Sequence, residues 1–127
     1  MTNRSSGKFT KNMDIILKAF KIIESKTKEN PVQVLIKAIE RASPREEVTT
    51  IEYCGAKYPQ AVDTSPSRRI SLTLRLLVHG SYDKSFNKKT KIEEALANEI
   101  ILASNASGDS FVMMKKNEME KSANSAR

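Results

Sequence analysis

The sequence predicts a mainly α, single-domain helical bundle with one protruding β-hairpin. Three observations predict it. Apolar residues recur at spacings of three and four along most of the chain. Asn30-Pro31 and Ser65-Pro66 each place a capping-type residue before a proline, the usual opening of a helix. Between them, residues 48–63 switch to β-branched and aromatic types around a Cys-Gly pair. The chain has 127 residues, 39% of them apolar, which suits one modest core. Gly and Pro number four each and Trp is absent, a poor composition for a many-stranded sandwich.

Each element follows in order. Residues 1–11 are polar and carry Arg4, Lys8 and Lys11 with no acid; Ser5, Ser6 and Gly7 mark a basic, flexible lead-in. From Asn12 onward the domain proper begins, and Met13, Ile16, Leu17, Phe20 and Ile23 form one helical stripe. A second helix opens at Asn30-Pro31, buries Val32, Leu35, Ile36, Ile39 and Ala42, and is stopped by Pro44. Residues 48–53 and 58–62 read as two strands joined through Cys54-Gly55-Ala56-Lys57, where Gly55 accepts a positive φ. Pro59 cannot donate to a central ladder, so the hairpin at 48–63 is expected to be an isolated ribbon or an edge. The third helix opens at Ser65-Pro66, carries Ile70, Leu74, Leu77 and Val78, and is expected to stop at Gly80. A polar, basic connection follows over 81–89. Thr90-Lys91-Ile92-Glu93 matches a capping box for the fourth helix, whose face is Ile92, Leu96, Ile100 and Ala103, widened by Ala95, Ala97 and Ile101. After the break at 105–109, a last helix is expected from about Met114, with Met119 and Ala123 turned inward.

Several functions drop out on chemistry. No apolar run approaches the length that spans a bilayer; the longest, 71–78, contains Arg75. Residues 1–9 hold no signal-peptide core. The single cysteine, Cys54, and single histidine, His79, leave no internal disulfide and no Cys- or His-based metal site. The expectation is a soluble cytoplasmic protein with no cofactor and no metal. A nucleophile needs a base within hydrogen-bond reach, and Cys54 has no neighbouring histidine. His79 is better explained by the dipole at the end of its helix. Glu46-Glu47 and Glu93-Glu94 are adjacent pairs, which diverge on a helix rather than share a site. No glycine-rich phosphate loop is present. The reading is a protein that is not an enzyme and takes no small-molecule substrate.

Positive charge carries more information. The 22 Lys and Arg outnumber the 15 Asp and Glu, for a net charge of +7. The excess is clustered: the lead-in, Arg68 and Arg69 in the first turn of the third helix, Lys84, Lys88, Lys89 and Lys91 before the fourth, and Lys115 and Lys116 at the start of the last. Cations near helix N-termini are opposed by the macrodipole, and an anionic ligand relieves that conflict. A polyanion partner is therefore expected, with nucleic acid ahead of a membrane because the charges do not form one basic helix face. The alternative class is a DNA-binding helical regulator whose Arg68/Arg69 helix enters a major groove. Tyr53 and Tyr58 are expected to pair across the hairpin in preference to stacking on RNA.

The residues then become specific. Asn30-Pro31-Val32-Gln33-Val34-Leu35-Ile36-Lys37-Ala38-Ile39-Glu40, Pro44-Arg45-Glu46, and residues 58–69 with their Ala61-Val62-Asp63, Ser65-Pro66 and Arg68-Arg69 string resemble the small-subunit ribosomal protein seven family, in its archaeal and eukaryotic branch. The resemblance continues through Leu76-Leu77, Gly80, Phe86, Lys89-Thr90, residues 94–97, Glu99-Ile100, Lys115-Lys116 and Arg127. It implies a helical fold with a hairpin, binding to small-subunit rRNA in the subunit head, neighbouring head proteins as partners, and a place near exit-site tRNA and the mRNA path. Arg45, Arg68, Arg69, Lys115 and Lys116 match its basic positions. Tyr53, Gly55, Lys57 and Tyr58 fall on the hairpin that it places near tRNA and mRNA. Family members of this branch carry an additional helix ahead of the segment matching Met1. The sequence departs from the pattern at the lightly charged tip 54–57 and at Ser81-Tyr82, which replaces an Ala-Arg pair.

Overall fold

The computed structural model describes residues 7–126. The elements are five helices with a hairpin inserted after the second: α1 Phe9–Thr27, α2 Pro31–Ala42, β1 Glu46–Tyr53, β2 Ala56–Asp63, α3 Pro66–Ser85, α4 Ile92–Ser104 and α5 Phe111–Ser125. This is the predicted architecture. Helix α1 starts ahead of Asn12, with Lys8 at its N-cap and Lys11 inside its first turn. It closes at Lys28 in a left-handed conformation, whose N–H donates to the Glu24 carbonyl. Asn30 caps α2 as its sequence position implies: its side-chain oxygen accepts from the Val32 N–H at 3.0 Å. Arg4 and Arg127 lie outside the described residues.

Helix α4 occupies the centre and packs against α1, α2, α3 and α5. The core joins Ala19, Ile23, Val34, Ala38, Ala42, Leu77, Ala97, Ile100, Ala103, Val112 and Met113. Two helices turn inward a face rotated from the one their aliphatic spacing marks, keeping Ala42 and Leu77 buried but not all of their neighbours. In α2 the buried residues are Val34, Ala38 and Ala42, while Val32 and Ile36 are half exposed. Alanines let α2 approach the alanine-rich α4 closely, and larger side chains at that crossing would hold the helices apart. In α3 the buried residues are Leu72, Thr73, Leu77, Gly80 and Ser81; Ile70, Leu74 and Val78 face outward. The buried hydroxyls are satisfied inside the helix, Thr73 donating to the Arg69 carbonyl and Ser81 to the Leu77 carbonyl, so small polar residues serve as core contacts. On α1, Ala19 and Ile23 are buried, whereas Met13, Ile16 and Leu17 on the same predicted stripe are exposed.

Gly80 does not stop α3. The helix runs on to Ser85, so the basic connection shortens to 86–91. The glycine serves packing instead. A Cβ built there would meet the Phe111 side chain at 2.8 to 3.0 Å, so α3 and the start of α5 touch where only hydrogen fits. The capping box does not form either: Lys91 is the N-cap of α4, without a side-chain bond. Helix α5 starts at Phe111, earlier than Met114.

The hairpin is a two-stranded antiparallel sheet. Cys54 and Gly55 both have positive φ, 52° and 78°, as a tight two-residue turn of the type I′ class requires. Pro59 sits opposite Thr50 in this isolated ribbon. Tyr53 faces Ala56 and Tyr58 faces Ile51, so the two tyrosines lie on one face of the hairpin as diagonal cross-strand neighbours. The turn sets this register, because two residues between the strands put Ala56 opposite Tyr53. The base of the hairpin rests on α5.

The Gly80 contact makes a sharp prediction. Alanine at an exposed helical glycine stabilises by about 1 kcal/mol. Gly80→Ala should instead destabilise the chain by about 1–3 kcal/mol through overpacking against Phe111. Urea denaturation checks this, and a midpoint at or above that of the parent chain would contradict the packing role.

Candidate nucleic-acid interface

The clustered cations divide into two groups once their partners are known. One group is used by the fold. Lys84, near the end of α3, places its Nζ 2.6 Å from Oε2 of Glu99, a carboxylate on α4 with no solvent exposure. The other oxygen of Glu99 accepts from the Ser110 hydroxyl at 2.8 Å and from the Val112 N–H at 3.2 Å. Glu99 therefore caps the first turn of α5, and the helix begins where those donors are satisfied. Lys116 on α5 donates to the Arg41 carbonyl at 2.7 Å, and Arg41 donates to the Ser104 carbonyl at 2.6 Å. These bonds close the C-termini of α2 and α4, where cations also suit the dipole. Lys115 lies 3.2 Å from Glu118 and 5.6 Å above the Phe111 ring.

The paired arginines are treated differently from one another. Arg68 Nε donates to Glu47 Oε1 at 2.6 Å, joining the first turn of α3 to the base of β1. Its pKa is raised from the ordinary arginine value, first by that hydrogen bond and then by the Coulombic attraction of Glu47. The first turn of α3 contains no acid, nor does that of α5. The carboxylates that offset the helix dipoles thus come from other elements, Glu47 for α3 and Glu99 for α5. Arg69 is half-buried beside Ile36, Ile39, Pro66 and Ile70, and its Nε is buried without a hydrogen-bond partner.

The second group faces solvent. Lys88, Lys89 and Lys91 are all exposed on the 86–91 connection. Lys8 and Lys11 are exposed at the start of α1, and Arg45 is exposed where the chain enters β1. On the arm, Tyr53, Gly55, Lys57 and Tyr58 are all exposed. The register puts Lys57 opposite Glu52, so the tip carries balanced charge, and it puts Ile51, Tyr53 and Tyr58 on one face. The resulting surface offers point charges for phosphates from a loop and a flat aromatic face from the arm. Among the described residues, no three His, Cys, Asp or Glu side chains are grouped to hold a metal, and no helix is long and apolar enough to cross a membrane.

Glu99, Glu47 and Arg41 were not singled out by pattern as functional. Glu99 alone had a readable signal, since an acid four residues from both Ala95 and Ala103 lies inside an otherwise apolar face.

The fold and site define a class: a small basic helical bundle with a β-hairpin arm and a tier of solvent-facing lysines. The family described as ribosomal protein S7p/S5e matches residues 1–127, and the chain belongs to that family. It is similar to the small ribosomal subunit protein uS7 of Nanoarchaeum equitans, 52% identical over 126 residues that cover 99% of this chain and 64% of that protein. The uS7 protein of Picrophilus torridus is 52% identical over 126 residues, covering 99% and 67%. That of Methanothermobacter thermautotrophicus is 50% identical over 125 residues, covering 98% and 67%. The chain thus spans about two thirds of the length of these relatives.

Removing one partner of a buried, hydrogen-bonded charge leaves the rest unsatisfied. Glu99→Ala should cost about 2–4 kcal/mol of stability, with hydrogen exchange fastest at the start of α5. Uniform exchange along α5, with an unchanged denaturation midpoint, would contradict the capping role.

Proposed function

We propose that this chain is a structural, non-catalytic constituent of the small ribosomal subunit that binds small-subunit rRNA and helps organise the subunit head. The observation that carries the reading is the family match over the whole chain, joined to a tier of exposed lysines that no acid among the described residues pairs with. Folded RNA is recognised mainly through phosphates, 2′-hydroxyls and shape. Lys88, Lys89 and Lys91 supply phosphate contacts from a connection that the fold leaves open. Lys8, Lys11 and Arg45 add charge at α1 and at the root of the arm, and Arg68 adds a planar fork suited to phosphate.

The arm serves a second contact. Its aromatic face, Tyr53 and Tyr58 with Ile51, suits stacking against exposed bases. That placement supports a position near exit-site tRNA and the mRNA path, beside neighbouring head proteins, in the cytoplasmic ribosome. The DNA-regulator reading has less support. A recognition helix must free its first-turn side chains for base edges, whereas Arg69 is half-buried with its Nε enclosed.

The test is salt-dependent binding to a transcript of the small-subunit RNA head domain, in competition with random duplex DNA. The slope of log affinity against log salt reports the phosphates neutralised. Replacing Lys88, Lys89 and Lys91 with alanine should reduce that slope by about 2 and lower affinity for the transcript. Lys84→Ala should reduce stability and leave the slope nearly unchanged. Equal affinity for duplex DNA and transcript at matched salt would overturn the reading.

A further inference from the structure

We infer that Glu47 is a positioning residue for RNA binding, holding the Arg68 guanidinium so that its outer edge presents to a phosphate. The inference rests on the reading above and goes further by giving an acid a favourable role on a surface that binds a polyanion. The geometry is asymmetric. The Glu47 side chain is 19% exposed and that of Arg68 54%, so the carboxylate is the seated partner and the guanidinium the presented one. Glu47 is fixed by β1, opposite Val62 at the root of the ribbon, and that root rests on α5. The contact uses Nε alone. Among the described residues, no other acceptor is hydrogen-bonded to the guanidinium, so the edge formed by the two Nη groups is left for a bidentate anion.

Holding the side chain has a consequence for affinity. A free arginine loses rotamer freedom when it grips a phosphate, and a pre-ordered one loses less. The same bond ties the arm to α3, so the arm and the arginine are presented together. A carboxylate near the bound phosphate also repels it. The two effects have opposite signs, which makes the role testable. If charge alone mattered, removing Glu47 would tighten RNA binding. If placement matters, removing it weakens binding.

The experiment measures binding of the full chain to the head-domain transcript for Glu47→Ala, Glu47→Asp, Arg68→Ala and the double variant E47A/R68A. The K88A/K89A/K91A chain is run alongside, and thermal melts report folding. Glu47→Ala should weaken binding by about three- to tenfold, the cost of ordering one long side chain. Glu47→Asp keeps the charge but withdraws the carboxylate by one methylene, and it should weaken binding in the same direction. Should the alanine variant fold poorly, this second variant decides the matter. E47A/R68A should bind no more weakly than R68A. Binding by E47A or E47D equal to or tighter than that of the parent, with K88A/K89A/K91A impaired, would overturn the positioning role alone. Parent-like binding in all of these chains would overturn the ribosomal RNA reading with it.

Discussion

A single buried carboxylate sets the geometry of half the bundle. A charge removed from water is costly unless it is paired and its lone pairs are filled. Glu99 meets both conditions by drawing on two neighbouring helices, with Lys84 from α3 on one oxygen and the Ser110 hydroxyl and Val112 N–H of α5 on the other. These bonds determine where α5 begins. They bring Phe111, its first residue, onto α3 at the point where Gly80 has no side chain. The closeness of α3 and α5 is therefore specified twice, once by a polar network and once by a steric contact.

The same economy divides the cations. A protein with a net charge of +7 must place its positive groups where repulsion is tolerable. Those needed to fill buried acceptors or close helix ends are Lys84, Arg41 and Lys116. Those left over are held outward on the 86–91 connection, at the start of α1 and at the root of the arm. On the proposed reading the outward set can meet folded RNA without breaking the bonds that Lys84, Arg41 and Lys116 make within the body.

Helix existence was legible because periodicity and Asn-Pro or Ser-Pro openings are local signals, and the hairpin because Cys54-Gly55 sits between two β-rich runs. Helix faces were less legible. In α2 and α3 the aliphatic residues Val32, Ile36, Ile70, Leu74 and Val78 suggested a buried side that holds only for Ala42 and Leu77, while close packing also selected Ala38, Gly80 and Ser81. Size complementarity between two helices is not encoded in either helix alone. Cation roles failed to show for the same reason. Lys84 and Glu99 are 15 residues apart, and Arg68 and Glu47 are 21 apart. Sequence position grouped Lys84 with Lys88, Lys89 and Lys91; the last three are exposed, whereas Lys84 is drawn to Glu99 on α4.

Residue-resolved lysine acylation most directly tests this division. The chain would be labelled alone and then bound to the head-domain transcript. The account predicts that Lys84 and Lys116 react slowly in both states, while Lys88, Lys89 and Lys91 react fast in the free chain and are protected in the complex. Fast labelling of Lys84 in the free chain, or unprotected Lys88, Lys89 and Lys91 in the complex, would contradict it.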